Sequence, residues 1–525
     1  MLTHRARSLV TVLVAASVVP TFTVAFVSAD TLSDIKYTDL LARLGASAPT
    51  GAGIGIGQCE AVENSTTGAY APDVTLAEFA GTTFSILSGA APASSHATEV
   101  GRMLYGNTLS CAPGVTNVSA WNVNLWVAAA YLRVGQGATA PATPPAGVKV
   151  FNHSWIGSFG SAANDNDGLR RLDFTVTRDN LFIAAGTNNG AGSVGQPLLS
   201  YAYNSVSVGL MNGGHSNSLT PAGIDGQNRR KPDIVAPGAF TSFSTPVVGA
   251  AAALLFDTAD SHPAIAGNPN ANKSLTIKTA MMAGTTHRAA WSNGAATSGA
   301  TRGSTITPLD PLYGADLLNV DRAHMIFTAG ETNGFSAPNP SSFAIHRGFD
   351  YIASAASGSS TFWTFRVHSR VDEASFLASW HRSVITGFTT WTLQDFDLRL
   401  WKLVNGVPTS LVGDGGISAF SSGNVESLSS VDNVEHLYLR DLASGDYAVE
   451  LVRKAGTQTA LPVVLAWYLP DTVPTPDLDG DGFVGAADLA IMLSQWGSNG
   501  LADLNGDRIV DAADLSIFLT TSQIR

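Results

Sequence analysis

The spacing of apolar positions changes character twice along the chain. Between about Thr31 and Phe327, short apolar runs alternate with segments of helical period. Residues 54–59, 148–151, 181–185 and 206–210 read as strands. His96, Val100, Met103 and Leu104 recur at i, i+4, i+7 and i+8, one face of a helix. Residues 247–256 are small and apolar throughout, as expected of a buried helix packed closely on a sheet. Strands alternating with helices predict a parallel α/β sheet covered on both faces. From about Glu331 to Leu469 the period falls to two, in residues 362–367, 396–401, 436–439 and 447–451, with turn signals at 413–416 and 444–446. That pattern predicts an antiparallel β-sandwich. It holds no catalytic constellation, so its expected role is structural or binding. After the stiff segment 471–476 an internal repeat follows: residues 477–489 match residues 503–515, and each copy runs into an apolar helical segment.

Composition narrows the reading. The chain has 525 residues, enough for about three domains, and 45% of them are hydrophobic, enough to bury a large core. Charged residues make up only 13%, and the formal net charge is −12 with no Lys/Arg-rich run. Nucleic acid is therefore not an expected partner. His4, Arg5 and Arg7 precede an apolar run from Leu9 to Val27, and Val27-Ser28-Ala29 supplies a cleavage-like end. Residues 1–29 are expected to be a signal peptide, with an uncleaved membrane anchor as the alternative, and the protein to be secreted or at the cell surface. No other stretch is expected to span a bilayer. Cys59 and Cys111 are the two cysteines; in an exported protein they permit a disulfide, with two buried free thiols as the alternative, and we expect them to lie close enough to bridge.

Three segments then point to one chemistry. Lys231-Pro232-Asp233-Ile234-Val235-Ala236-Pro237-Gly238, followed by Thr241-Ser242-Phe243-Ser244-Thr245-Pro246, resembles the nucleophile region of the subtilisin-like serine proteases. Ser95-His96-Ala97-Thr98-Glu99-Val100 resembles that family's histidine helix. Residues 181–190 place Asn188 where the family carries its oxyanion-hole asparagine. The resemblance covers roughly residues 40–325 and implies Ser242 as nucleophile, His96 as general base and Asn188 as oxyanion donor. A serine in the first turn of a helix sits at the positive end of the dipole, with its own N–H free of the helical ladder. The strand before Cys59 resembles the one that ends in the family's catalytic Asp, but Glu60 stands there; Glu60 is the expected acid, with Glu63 or no acid as the alternatives. Phe240 replaces the family's glycine before Thr-Ser, Glu99 replaces its second helix histidine, and the loop before Ser242 is short.

In the terminal repeat, oxygen side chains recur at loop positions 1, 3, 5 and 12: Asp477, Asp479, Asp481 and Asp488, then Asp503, Asn505, Asp507 and Asp514. Position 9 holds Gly485 and Asp511; position 6 holds Gly482 and Arg508, so the second turn is expected to be less favourable. A hard cation takes six to eight oxygens, and this spacing wraps a loop around one. The tandem pair resembles a dockerin, which implies Ca2+ and a cohesin-type partner.

The expected architecture is multidomain. It comprises a three-layer α/β subtilisin-like domain over residues 30–330, a β-sandwich over 331–470, a linker over 471–476, and a small α-helical EF-hand-like dockerin over 477–525. The expected function is a secreted serine endopeptidase acting on polypeptides, with no membrane span after signal removal. The alternative is a catalytically degenerate member of the fold serving as an extracellular binding or scaffold module.

Overall fold

A computed structural model describes residues 29–193, 198–216, 218–457, 460–480 and 482–521. All but the last residue of the expected signal peptide, and Asp481, lie outside the described residues. The chain divides into two compact units. The first comprises Met1–Trp291, Leu309–Thr328 and Trp380–Leu393; the second comprises Ser292–Pro308, Ala329–Ser379 and Gln394–Arg525.

The first unit is built on a seven-stranded parallel sheet. Its strands are β1 (Gly55–Glu60), β2 (Thr83–Ile86), β3 (Asn117–Asn122), β4 (Val148–His153), β5 (Phe182–Gly186), β6 (Val206–Leu210) and β7 (Ile234–Ala236). They lie in the order β2-β3-β1-β4-β5-β6-β7. Helices α1 (Ser95–Tyr105), α2 (Ala162–Asp179) and α3 (Thr241–Ser261) connect and cover it. The small side chains of α3 let it sink into the fold. A Cβ on Gly249 would stand 2.9 Å from Leu104, so glycine there sets how closely α1 and α3 approach. By length and apolar content α3 is able to cross a bilayer, which the sequence reading had not allowed for. Yet 94% of its apolar window is buried inside the protein, as a core helix requires.

Alternation along β1 decides what meets what. Gln58 and Glu60 face α1, and Gln58 Nε2 donates to Ala97 O at 2.8 Å. Cys59 points to the other face, into a cluster with Trp121, Phe151 and the α2 residues Leu169, Leu172 and Val176. This overturns the expected bridge: Cys59 and Cys111 are both free and buried. Adjacent strand residues point to opposite faces, so the strand that delivers Glu60 toward α1 turns Cys59 away from it. Cys111, in the chain leaving α1, lies instead near Tyr37.

Residues Trp380–Leu393 complete this unit. They form a hairpin, Ser383–Val384 against Trp391–Thr392, beside α2. Arg382 is fully buried and donates from Nε to Asp173 at 2.7 Å and from Nη1 to Asp225 at 2.5 Å. Phe388 meets Phe174 edge-on at 5.4 Å and lies under the Arg171 guanidinium at 4.1 Å.

The second unit holds two sheets whose long strands are antiparallel. One carries β9 (Ser360–Val367), β11 (Phe396–Val404) and β13 (Gly445–Arg453); the other carries β8 (Arg347–Ile352), β10 (Val371–Trp380), β12 (Val434–Leu442) and β14 (Val463–Tyr468). Phe365 of the first sheet packs on Phe376 and Trp467 of the second, at 5.2 and 5.7 Å between ring centroids. At the end of the chain, α4 (Ala486–Ser494) and α5 (Ala512–Thr521) each follow an acidic loop. They share a small core of Leu478, Met492, Ala502, Val510 and Phe518.

Candidate active site

Glu60 occupies the carboxyl end of a central strand, where the loops of a parallel α/β sheet expose their chemistry. Its carboxylate is 1% exposed and does not stand alone. Gln58, two residues earlier on the same face, donates from Nε2 to Glu60 Oε1 at 3.0 Å. Tyr105, at the end of α1, donates its hydroxyl to Gln58 Oε1 at 2.6 Å. The other carboxylate oxygen, Oε2, lies 3.0 Å from His96 Nδ1. A carboxylate only accepts, so Nδ1 carries the proton. In the neutral ring Nε2 is then left with the free lone pair, the form a general base needs.

His96 is in the first turn of α1. Ser94 caps that helix by accepting the Ala97 N–H at 3.0 Å. The imidazole is partly shielded, with 19% of its side chain exposed. Burial pushes its pKa down, but the charge and hydrogen bond of Glu60, joined by the charge of Glu63, outweigh that and raise it above the ordinary histidine value. Glu63 does not take the Glu60 position. It accepts from the Ser95 hydroxyl and, at 3.5 Å, from the His96 backbone N–H. Across from the ring stands Phe243, 5.9 Å away between centroids.

Ser242 is the second residue of α3. The N-cap position is Phe240, which has no side-chain oxygen to offer. Asn189 substitutes for it: its Oδ1 accepts the Thr241 N–H at 2.8 Å and the Thr241 hydroxyl at 3.0 Å. Gly238 is required just before, because a Cβ there would stand 2.8 Å from the Ser244 nitrogen. Pro246 lies inside α3, four residues after Ser242. Having no N–H, it leaves the Ser242 carbonyl without its helical partner. Ser154, just after β4, supplies the replacement, donating its hydroxyl to Ser242 O at 2.9 Å. The Ser242 backbone N–H has no acceptor among the described residues, which leaves it available to an oxyanion. The Ser242 hydroxyl donates to Ser154 O at 3.4 Å, and no hydrogen bond joins it to His96 among the described residues. Catalytic hydrogen bonds in sites without substrate are often long and tighten only on binding.

Asn188 is half-buried next to this helix start, and its carbonyl accepts the Ser216 N–H at 2.8 Å. The fold thus joins Glu60 to His96 directly and sets Ser242 on the helix that packs against α1. Sequence reasoning missed Gln58, Ser154, Asn189 and Phe243. Gln58 was findable, since a polar residue two before Glu60 on a strand shares its face. The others depend on contacts between segments far apart in the chain.

The acidic loops form a second candidate site. Ligand oxygens of Asp477, Asp479 and Asp488 lie within 4.8 Å of one another, as do those of Asp503, Asp507 and Asp514. The carboxylates at position 12 are held alike in the two loops. Asp488 Oδ1 accepts the N–H groups of Leu478 and Asp479, and Oδ2 that of Gly485. Asp514 accepts those of Leu504, Asn505 and Asp511 in the same way. Arg508 takes a left-handed φ of 75°, matching the 89° of Gly482, so the second turn closes despite its side chain. Asn505 donates to Asp507 at 2.9 Å, and Asp511 accepts the Ala513 N–H, at the start of α5. Carboxylates gathered so closely repel one another, and an all-oxygen set of this kind fits a hard divalent cation.

Residues 88–305 match the sequence profile of the subtilase family. That segment contains His96, Asn188 and Ser242, while Glu60 precedes it. No curated protein matches the chain. Among solved structures, the crystal structure of a serine protease of Aeromonas sobria is similar over 80% of this chain and 89% of that one, at 12% identity and a TM-score of 0.36. At that TM-score the likeness carries no weight for fold or function.

Proposed function

Taking the chain's subtilase domain as the premise, we propose that the protein is a secreted serine endopeptidase that cleaves polypeptides through an acyl-enzyme on Ser242. The observation that carries this reading is the 3.0 Å contact of Glu60 with His96 Nδ1, which fixes the imidazole tautomer on a helix packed against the one that carries Ser242 in its first turn. Ser242 Oγ attacks the scissile carbonyl carbon while its proton passes to His96 Nε2. Glu60 stabilises the imidazolium that forms. The Ser242 N–H and the Asn188 side chain receive the oxyanion. His96 then gives its proton to the departing amine as the C–N bond breaks, and water, deprotonated by the same ring, releases the acid.

The remaining parts of the proposal are the antiparallel sheets as a β-sandwich and residues 477–525 as a dockerin-like module. In that module Asp477, Asp479, Asp481 and Asp488, with Asp503, Asn505, Asp507, Asp511 and Asp514, serve two Ca2+ loops. A bound cation would join the loop carboxylates, and a cohesin-type protein is the partner such a module implies. One observation favours the alternative, a catalytically silent scaffold: the Ser242 hydroxyl donates to Ser154 rather than to His96. Hydrolysis of unfolded casein separates the two. The full chain should cleave it and Ser242→Ala should not; equal cleavage by both, or none by the folded wild type, rejects the peptidase.

A further inference from the structure

A second carboxylate stands close to His96, and the reaction steps above leave it without a role. Glu63 follows β1 by three residues in a loop that is pinned, not loose: its N–H donates to Ala69 O at 2.9 Å, and a bridge joins Asn64 to Ala69. From there its two oxygens reach the first turn of α1. Oε1 takes the Ser95 hydroxyl, and Oε2 faces the backbone N–H of His96 itself. We propose that Glu63 is a positioning residue for His96, fixing the turn that carries the imidazole and adding a second negative charge that favours its protonated form. The catalytic meaning of this rests on His96 acting as the general base; the electrostatic coupling does not.

Three observations support it. First, Glu63 is placed where a helix N-terminus favours negative charge, so turn geometry and charge act together. Second, although burial opposes its ionisation, hydrogen bonds from Ser95 and Ser94 and from the backbone of His96 and Ser95 hold its carboxyl below the ordinary value, so it is charged at neutral pH. Third, little else competes around the ring. From β1 comes Glu60. On α1 itself Glu99 is tied to Arg102 at 2.9 Å. The facing start of α3 presents Phe243, and α3 carries no charged residue before Asp257. Two carboxylates therefore act on one imidazole: Glu60 on the ring nitrogen, Glu63 on the turn beneath it.

The test reads the His96 ring directly, by nuclear magnetic resonance of the full chain with labelled histidine, its signal assigned by its loss in His96→Asn. Removing a partly solvated neighbouring charge should lower the His96 midpoint by roughly half a pH unit in Glu63→Gln. Glu63→Asp, which keeps the charge, should stay nearer the wild type. Ser95→Ala, which removes the hydroxyl bond and leaves the carboxylate, should also keep a near-wild-type midpoint. An unchanged midpoint in Glu63→Gln overturns the proposal, and so does a fall in Ser95→Ala as large as in Glu63→Gln, which would assign the shift to a distorted turn. If His96 is the base, the acid limb of kcat/KM moves to lower pH in Glu63→Gln by the same amount. Absence of casein cleavage would reject the peptidase while leaving the His96 titration readable, so the two ideas fail separately.

Discussion

Glu60 and Asp488 are both carboxylates at 1% exposure, yet they are held in opposite ways. Glu60 sits at the end of a strand in a seven-stranded sheet, and side chains of that strand and of α1 meet it: Gln58 on one oxygen, His96 on the other, with Tyr105 behind Gln58. Asp488 is held by backbone N–H groups of its own loop, beside a core of only a few buried side chains. Around Glu60 the protein itself supplies the compensating groups, so the site is formed before any ligand arrives. Around Asp488 the neighbouring carboxylates of Asp477 and Asp479 gather within 4.8 Å of it, and folding there should depend on a cation. One chain thus contains a carboxylate held by side chains of a large sheet domain and a carboxylate held by backbone N–H groups of an acidic loop.

The largest expected effect falls on the first of these. Glu60→Gln keeps the shape but removes the charge that fixes the Nδ1 proton and stabilises the imidazolium. Peptide hydrolysis should drop by roughly 10²–10⁴-fold, measured as kcat with folding checked by circular dichroism. A fall of less than threefold would show that Glu60 is not the acid.

Next in size is the hairpin. Arg382 is buried between Asp173 and Asp225, and its removal leaves Asp173, at 0% exposure, without its charge partner. Arg382→Ala should destabilise the first unit by about 3–5 kcal/mol, the usual cost of breaking a buried pair from one side. Urea unfolding of the full chain, followed by hydrogen exchange in α2, checks this. Wild-type protection of α2 in the variant would mean that the hairpin only decorates the unit.

Calcium removal sharpens the comparison. With chelator, amides of α4 and α5 should exchange quickly while those of α1 and α3 stay protected; calcium should restore α4 and α5. Equal protection of α4 and α5 with and without calcium would break the contrast between the two sites.

The smallest effect is in pH. The His96 pKa is raised, so the acid limb of activity should lie above about 6.5, the ordinary histidine value. The sign for stability follows: the Glu60–His96 ion pair contributes fully below about 6.5, and its contribution is lost as pH rises through the raised folded value. The urea midpoint should therefore drift down across that window in the wild type and not in His96→Asn.

Much of the first unit was legible because its signals are local. The small residues of α3 announced a buried helix, and β6 runs over the residues its pattern indicated. The stretch from Lys231 to Pro246 can be read residue by residue: Lys231 and Asp233 pair in the interior at 2.7 Å, Gly238 makes room for the helix start, and Pro246 frees the Ser242 carbonyl for Ser154. Other parts were not legible. β3 reads Asn-Val-Ser-Ala-Trp-Asn, whose polar residues hide a strand buried along most of its length. The hairpin at Trp380–Leu393 belongs to a unit whose main body ends far earlier in the chain, and no periodicity reports that Arg382 will meet Asp173. Glu60 and His96 are 36 residues apart, and only the crossover from β1 to α1 brings them together. Choosing Asn189 to cap α3 required knowing which of two adjacent amides faces Thr241. Cys59 was misjudged although strand alternation reported it: the residue next to Glu60 on β1 takes the opposite face, away from the chain that follows α1.

The most direct test is chemical. A fluorophosphonate probe is applied to the folded full chain, and the modified peptide is located by mass spectrometry. A single adduct on Ser242, lost in Ser242→Ala and sharply slowed in His96→Asn, is the result predicted here. Labelling that is absent from the folded wild type, or that persists unchanged in Ser242→Ala, would contradict the account.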